Sequence, residues 1–250
     1  MNHAEMLHTG PLVLVNREHP LPAEPSRADL LSVSHRHPGI LLNSRAKLVL
    51  CQLLSDLGCT GDIVPVSGYR SKAEQLAIFE DALRSHGREF TETFVAYPGC
   101  SEHQTGLAID LGENRPDLDF LCPQFPDEGA CRAFRARAAD YGFILRYPAG
   151  KEEITGIGCE PWHFRYVGWP HAKLMEERGF TLEEYIQWLS GYSEEGVHLG
   201  YEVSGRAFEF YTVPADNLDG LHSRLPSDIP CQWSGNNAGG VVVTLWRKAG

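Results

Sequence analysis

Apolar residues recur at helical spacing in several segments of the chain. Between residues 45 and 57 they fall every three or four positions, as on a helix with one buried face, and Gly58 follows as a terminator. Ser71 and Glu74 form the sequence signature of a capping box, so a second helix begins there. Its predicted buried face consists of Leu76, Phe79 and Leu83. The spacing predicts further helices over 128–141, 171–178 and 181–190.

Short apolar segments of a different kind lie between these helices. Four of them predict strands, at 62–67, 106–111, 143–147 and 162–167. Residues 1–44 are rich in proline and histidine, and they predict an extended arm with little helix.

The pattern changes after Gly191. Segments 201–204, 206–213 and 241–246 are strand-like, and clusters of turn-forming residues separate them. The sequence therefore predicts two domains, one of residues 1–191 and a small all-β appendage of residues 192–250. Two roles for this appendage stay open: it packs on the larger domain, or it mediates a homodimer.

Composition and charge narrow the function classes. The chain has 250 residues, 42% of them apolar, which is enough to bury a core, and its formal net charge is -11. An acidic chain without a basic patch argues against a nucleic-acid partner. No apolar run reaches the roughly 20 residues of a membrane span, and the N-terminus lacks the pattern of a signal peptide. We therefore expect a cytoplasmic protein with no membrane anchor.

Ionisable side chains cluster at the ends of the predicted strands. His103 precedes one strand and Asp110 lies near its end, seven positions later. Glu160 lies before a proline at the start of another strand, and His163 follows three positions on. Arg70 lies at a strand-to-helix turn. Any one of these residues alone is more often a cap or a surface ion-pair partner than a functional group.

Together these residues have the composition of a catalytic zinc site. His103, Asp110 and His163 supply three ligands of the types that zinc accepts, and they leave a fourth position for water. Glu160 is the candidate general base for that water. Arg70 is the candidate cation for the negative charge that develops on a carbonyl oxygen.

Three motifs in order resemble a known family of enzymes. Ser67-Gly-Tyr-Arg-Ser71-x-x-x-Gln75 comes first, Ser101-x-His103-x-x-Gly106-x-Ala108-x-Asp110 follows, and Glu160-Pro-Trp-His163 comes some fifty residues later. This set is similar to that of the zinc D,D-peptidases of the VanY and VanXY type, over roughly residues 10–190. The resemblance implies an α+β fold with a small antiparallel sheet flanked by helices, and one zinc ion per chain.

The resemblance also implies roles for individual residues. His103, Asp110 and His163 correspond to the zinc ligands, Glu160 to the catalytic base, and Arg70 to the arginine that steadies the polarised carbonyl. Ser101 and Gln75 correspond to positions that bind the terminal groups of the substrate. Two aromatic residues beside the motifs, Trp162 and Tyr97, are either walls of the substrate pocket or part of the core. Residues 151–158 form either a mobile flap over the site or a plain hairpin loop.

The implied reaction is hydrolysis of the peptide bond of a D-Ala-D-Ala terminus. The substrate is the free dipeptide, a pentapeptide cell-wall precursor, or both, and its removal would contribute to vancomycin resistance. Two alternatives stay open at this point. One is an extracellular peptidoglycan endopeptidase or lysin, in which residues 192–250 would be a wall-binding module. The other is a zinc-binding module without catalysis.

Overall fold

The computed structural model describes residues 2–247 and contains helices, strands and short turns of 3-10 helix. The helices are α1 (His3–Leu7), α2 (Ser44–Asp56), α3 (Lys72–Phe94), α4 (Gly129–Arg137), α5 (Glu152–Thr155), α6 (His171–Arg178), α7 (Leu182–Leu189) and α8 (Leu221–Arg224). The strands are β1 (Leu30–Ser34), β2 (His37–Asn43), β3 (Ile63–Ser67), β4 (Ala108–Glu113), β5 (Phe143–Leu145), β6 (His163–Tyr166), β7 (Leu199–Val203), β8 (Arg206–Pro214), β9 (Cys231–Gly235) and β10 (Gly240–Arg247). None of the helices within residues 2–247 has both the length and the apolar character needed to cross a membrane.

The strands form three small antiparallel sheets, which confirms the predicted α+β fold. One sheet is the hairpin β1-β2, and the second has the order β3-β4-β6-β5. The third has the order β7-β8-β10-β9. In the second sheet β4 is a central strand, with β3 on one side and β6 on the other. The residues of β4 therefore have neighbours on both sides.

An aromatic cluster fixes β6 and α4 in the core beside this sheet. Phe164 of β6 packs against Phe134 of α4 with ring centroids 4.9 Å apart, and Phe125 contacts both rings edge to face. Both Phe134 and Phe164 are fully buried, and Leu50 and Leu53 of α2 belong to the same core. Burying a phenyl side chain of this kind contributes roughly 1.5–3 kcal/mol. The sheet is thus held from one side by apolar packing.

The extended arm predicted for residues 1–44 is wrong for its last part. Residues 30–43 form the hairpin β1-β2, and Asn43 then caps α2 by accepting hydrogen bonds from the backbone of its first turn. Val33 and Leu42 of the hairpin are buried in the core around α2. The many prolines and histidines of this region hid the apolar positions that the hairpin buries.

The capping box of α3 is confirmed, but two members of its predicted buried face are not. Ser71 accepts a hydrogen bond from the backbone of Glu74, whose carboxylate accepts from the backbone of Ser71. Leu76 and Leu83 are exposed, and of the three predicted residues only Phe79 is buried. The buried face consists of Gln75, Phe79, Ala82 and Thr91. Gln75 of this face lines a cleft, as described below.

The chain divides into two compact units, of which Val15–Thr181 is the larger. The smaller unit joins the first residues, up to Leu14, with the residues from Leu182 onward. Within it, Gly235 donates a backbone hydrogen bond to Thr9 at 2.8 Å, and Met6 is buried against the sheet β7-β8-β10-β9. This division differs from the boundary predicted after residue 191, because α7 and the N-terminal segment pack with the C-terminal strands.

Gly142 gives a direct test of the larger unit. It has φ +84, and an added Cβ would lie 2.8 Å from the backbone nitrogen of Trp169 and 3.0 Å from the backbone carbon of Gly168. We expect Gly142→Ala to lower the free energy of unfolding by about 2–4 kcal/mol, because backbone atoms cannot give way. Urea denaturation of the full chain measures this change.

The matched control is Gly58→Ala. Gly58 has φ +66, but nothing lies within 4 Å of its added Cβ. This substitution should cost only the penalty of a left-handed backbone, about 1 kcal/mol. Equal losses in the two variants would show that the close packing around Gly142 contributes nothing.

Candidate active site

The centre of the site is a pair of residues on adjacent strands. Asp110 of β4 is in register with His163 of β6, and Ser67 of β3 is its partner on the other side. Paired residues of neighbouring strands point to the same face of a sheet. His163 Nδ1 therefore lies 2.8 Å from Asp110 Oδ1. Residues 53 positions apart in sequence thus meet through strand pairing.

His103 reaches the same point from a turn before β4. It lies in the 3-10 turn Glu102–Thr105, which Gly106 ends with a left-handed backbone, φ 69. Its Nδ1 is 2.6 Å from the carbonyl oxygen of Gly68, and its Nε2 is 3.1 Å from Asp110 Oδ2. A carbonyl oxygen only accepts, so Nδ1 carries the proton and donates. The lone pair of Nε2 is thereby directed to the side of Asp110.

These three side chains form a group that could hold a metal ion. His103, Asp110 and His163 are all buried, and one ligand atom from each lies within 4.8 Å of the other two. Two imidazoles and a carboxylate are the donor set that zinc accepts. In the part of the chain that the structure describes, Nε2 of His103 has no hydrogen-bond partner, as expected for an atom that is a metal ligand.

The electrostatics of the group favour a cation between the side chains. Burial opposes the charge of Asp110, but His103 and His163 outweigh it and hold the pKa of this carboxyl well below its usual range. Burial and the neighbouring Arg70 lower the pKa of His103 to about 4. Burial also disfavours the charge of His163, yet Asp110 and the nearby glutamates raise its pKa to about 9. The metal-free site therefore holds its positive charge as a proton, which a metal ion can replace.

Glu160 lies beside this group. Its backbone nitrogen donates to the carbonyl oxygen of Tyr147 at 3.0 Å, and its Oε2 is 3.6 Å from His163 Nδ1. The side chain is buried, and burial together with the charge of Asp110 raises the pKa of this carboxyl to about 8, against the attraction of His163. A carboxyl with such a pKa can both take up and return a proton near neutral pH.

Arg70 follows β3 and points to the same place. Its backbone nitrogen donates to the carbonyl oxygen of His103 at 3.3 Å, and its Nη2 is 3.7 Å from Asp110 Oδ2. A guanidinium stays protonated in proteins, although burial lowers the pKa of this one. Within residues 2–247 no group accepts from its Nε. The side chain thus brings a fixed positive charge with a spare donor to the site.

The group lies at a cleft. Eight of the nine predicted site residues line it: Arg70, Gln75, Ser101, His103, Asp110, Glu160, Trp162 and His163. Trp162 also belongs to the hydrophobic core. Apolar side chains complete the wall, among them Ile78, Phe94 and Ile157. The cleft therefore combines a charged floor with apolar sides.

Tyr97 is the predicted site residue that the structure does not bring into the cleft. Its ring packs on that of Phe79 at 4.7 Å, and Arg17 lies over its face. Its hydroxyl donates to Glu92 at 2.9 Å. Tyr97 is thus part of the packing behind the cleft, the alternative that the sequence left open.

Comparisons with known proteins agree with this site. The family model "VanY: D-alanyl-D-alanine carboxypeptidase" matches residues 40–169. The bifunctional D-Ala-D-Ala dipeptidase and carboxypeptidase VanXYC of Enterococcus gallinarum is 43% identical over 180 residues, which are 72% of this chain and 95% of that protein. The chain belongs to the VanY family.

Solved structures of VanY-family proteins are similar as well. The vancomycin-resistance D,D-dipeptidase VanXYg, in complex with a D-Ala-D-Ala phosphinate analogue, has a TM-score of 0.91 at 45% identity, covering 98% of this chain and 96% of that one. A mutant of the D,D-pentapeptidase VanY from the VanB-type resistance cassette, in complex with Zn(II), has a TM-score of 0.58 at 32% identity, covering 70% and 98%.

Sequence analysis missed two residues of this VanY-family cleft. Glu102, next to His103, is buried beneath the site, and Tyr147 lies with its ring 4.9 Å from that of His163. Glu102 occupies the unspecified position between Ser101 and His103 in the second motif, and its charge was the available signal. Residues 151–158, expected to be a flap or a hairpin loop, contain the one-turn helix α5, so the plain hairpin is wrong.

The raised pKa of Glu160 predicts a specific pH dependence of stability. When a carboxyl has a higher pKa in the native state, the unfolded chain releases its proton first. Glu160 therefore costs stability as pH rises from about 4.5 to about 8. We consider protein freed of metal by a chelator. Over this pH interval, the free energy of unfolding of Glu160→Gln should rise by roughly 1–3 kcal/mol relative to that of the native sequence. Urea unfolding of the variant and the native sequence at pH about 4.5 and about 8 measures this change. If the two proteins differ in free energy of unfolding by the same amount at both pH values, the prediction is wrong.

Proposed function

We propose that this chain is a zinc-dependent peptidase that hydrolyses the peptide bond of D-Ala-D-Ala termini. The observation that carries the proposal is the buried group of His103, Asp110 and His163, with Glu160 beside it at one cleft. The relatives support the substrate, because VanXYC is named a dipeptidase and carboxypeptidase for D-Ala-D-Ala. VanXYg was solved with a D-Ala-D-Ala phosphinate analogue.

The residues present fit one zinc ion per chain. His103 offers Nε2 because Gly68 occupies its Nδ1, and Asp110 and His163 offer atoms on the same side. When bound there, zinc would lower the pKa of a bound water and polarise the substrate carbonyl. The VanY structure solved with Zn(II) supports the choice of this metal.

Glu160 and Arg70 carry the remaining chemistry in this proposal. Glu160 accepts the proton of the attacking water and later returns it to the leaving amine, for which its pKa of about 8 is suited. Arg70 supplies positive charge for the oxygen on which negative charge develops, and its low exposure strengthens that interaction. Two charged side chains in these roles disfavour the alternative of a zinc-binding module without catalysis.

Substrate contacts fall to three further side chains of the cleft. Ser101 and Gln75 are buried, and Oε1 of Gln75 has no partner among the described residues, while its Nε2 donates to the carbonyl oxygen of Ala96. We assign Ser101 and Gln75 to the polar ends of the substrate and Trp162 to its methyl groups. We extend the proposal to both the dipeptide and the pentapeptide precursor, to a cytoplasmic location and to the predicted homodimer, with a contribution to vancomycin resistance.

Replacing Glu160 tests its role as the base. Glu160→Ala should lower turnover of D-Ala-D-Ala by about 10²–10⁴-fold, because no other group takes the proton, yet keep one zinc per chain. Release of D-Ala and the zinc content of the dialysed protein are measured together. Glu89→Gln, an exposed glutamate outside the cleft, is the control and should change neither quantity. Near-native turnover of Glu160→Ala would refute the assignment.

Replacing His163 tests the metal site itself. His163→Ala should bind zinc at least 100-fold more weakly, because one of three ligands is lost. His222→Ala removes an exposed histidine of the other unit and should keep full affinity. Competition with a chromophoric chelator measures both. Full zinc content in His163→Ala would place the metal elsewhere.

The substrate is tested on the zinc-loaded full chain with three peptides. D-Ala-D-Ala and a pentapeptide ending in D-Ala-D-Ala should both release D-Ala, and D-Ala-L-Ala should not be cleaved. If only the pentapeptide is cleaved, the chain is a carboxypeptidase alone. Cleavage of none of them by zinc-loaded protein would overturn the proposed function.

A further inference from the structure

Glu102 is a buried carboxylate at the back of the metal-binding group that the mechanism above does not use. Its side chain is wholly buried, and its Oε1 lies 2.7 Å from Nε of Arg146 and 2.9 Å from Nη1 of Arg165. Both arginine side chains are also wholly buried. One carboxylate oxygen is thus committed to two guanidinium groups. The other oxygen, Oε2, accepts no hydrogen bond from any residue between 2 and 247.

Oε2 of Glu102 faces the imidazole of His163. It lies 3.7 Å from His163 Nε2, on the opposite side of the ring from Nδ1 and Asp110. In the described part of the chain neither this oxygen nor this nitrogen has a hydrogen-bond partner by geometry. Leaving both unpaired in the interior is costly, and a movement of less than 1 Å brings them within hydrogen-bond distance.

We infer that Glu102 is a positioning residue, which accepts a hydrogen bond from Nε2–H of His163 and thereby keeps the lone pair of Nδ1 directed at the metal. This inference rests on the zinc site proposed above. A metal-binding histidine usually donates its second N–H to a carboxylate or a carbonyl, which fixes the tautomer and the ring orientation. His103 follows the same rule with Gly68 as its acceptor. Glu102 gives His163 the equivalent partner.

The two arginines explain why a carboxylate is required at position 102. Guanidinium groups only donate hydrogen bonds, so an oxygen must face Arg146 and Arg165. In Glu102→Gln the single amide oxygen would take that place, and the amide NH₂ would face His163 Nε2. Nε2 would then have to accept, and the proton would move to Nδ1. The variant therefore places the proton on the nitrogen that should bind zinc.

The first test uses the native sequence. Protein with ¹⁵N-labelled histidine, loaded with zinc, is measured by long-range ¹H–¹⁵N correlation, and the His163 signal is assigned by its absence in His163→Ala. We expect the pattern of a ring protonated at Nε2 and bound through Nδ1. A ring protonated at Nδ1 would overturn the inference. If the protein binds zinc and cleaves D-Ala-D-Ala in that case, the proposed function stands and only the role of Glu102 fails.

The second test compares two variants that break the same ion-pair group. Glu102→Gln should weaken zinc binding about 10- to 100-fold and shift the His163 signal toward the other tautomer. Arg146→Gln removes one guanidinium, but leaves Glu102 with Arg165 and with His163. It should lower the unfolding temperature while keeping zinc affinity within about threefold and the tautomer unchanged.

The outcomes of this comparison are distinct. If both variants lose zinc affinity in proportion to their loss of unfolding temperature, Glu102 acts only through stability and the inference is wrong. If Glu102→Gln binds zinc like the native sequence, the inference is wrong as well. Should Glu102→Gln fail to fold, the tautomer in the native protein decides the question.

Discussion

The register between β4 and β6 is the constraint on which the site depends. It places Asp110 opposite His163, and a shift of one residue would turn His163 to the other face of the sheet. The residue next to His163 is Phe164, whose ring is locked between Phe125 and Phe134 on that other face. A slip would therefore turn a phenyl ring toward the charged group and place a histidine in the apolar core. Apolar packing on one face thus fixes the geometry of the charged group on the opposite face.

The charged groups beneath the cleft are costly and are balanced in pairs. Removing an ion from water costs several kcal/mol unless a partner compensates, so buried ion pairs are weak sources of stability. The negative charge of Asp110 is compensated by His103, His163 and Arg70. That of Glu102 is compensated by Arg146 and Arg165. Of the three carboxyls Asp110, Glu102 and Glu160, only Glu160 has a raised pKa, because it is buried and none of its charged neighbours pairs with it closely. The one carboxyl left able to exchange a proton is also the one beside the candidate metal position.

Local patterns in the sequence predicted much of this arrangement. The strands that carry Asp110 and His163 and the capping box at Ser71 follow from neighbouring residues, and the motif resemblance identified eight residues that line the cleft. The role of Glu102 could not be predicted, because its partners Arg146 and Arg165 are 44 and 63 positions away (146 − 102 and 165 − 102). The prediction that Leu76 is buried was wrong because helical spacing alone does not say which face contains Gln75, which lines the cleft.

The packing of the N-terminal residues with the C-terminal strands was hidden for the same reason: it joins segments more than 200 positions apart.

His103 and Arg70 share one set of hydrogen bonds, which links the candidate metal ligand to the candidate oxyanion partner. His103 Nδ1 donates to the carbonyl of Gly68, and the carbonyl of His103 accepts from the backbone nitrogen of Arg70. The turn before β4 is thereby joined to the chain after β3 by one side-chain and one backbone hydrogen bond. Because both bonds involve the same residue, a displacement of His103 also displaces Arg70. The two groups that should act on one carbonyl are therefore held at a fixed spacing by the backbone, before any substrate is bound.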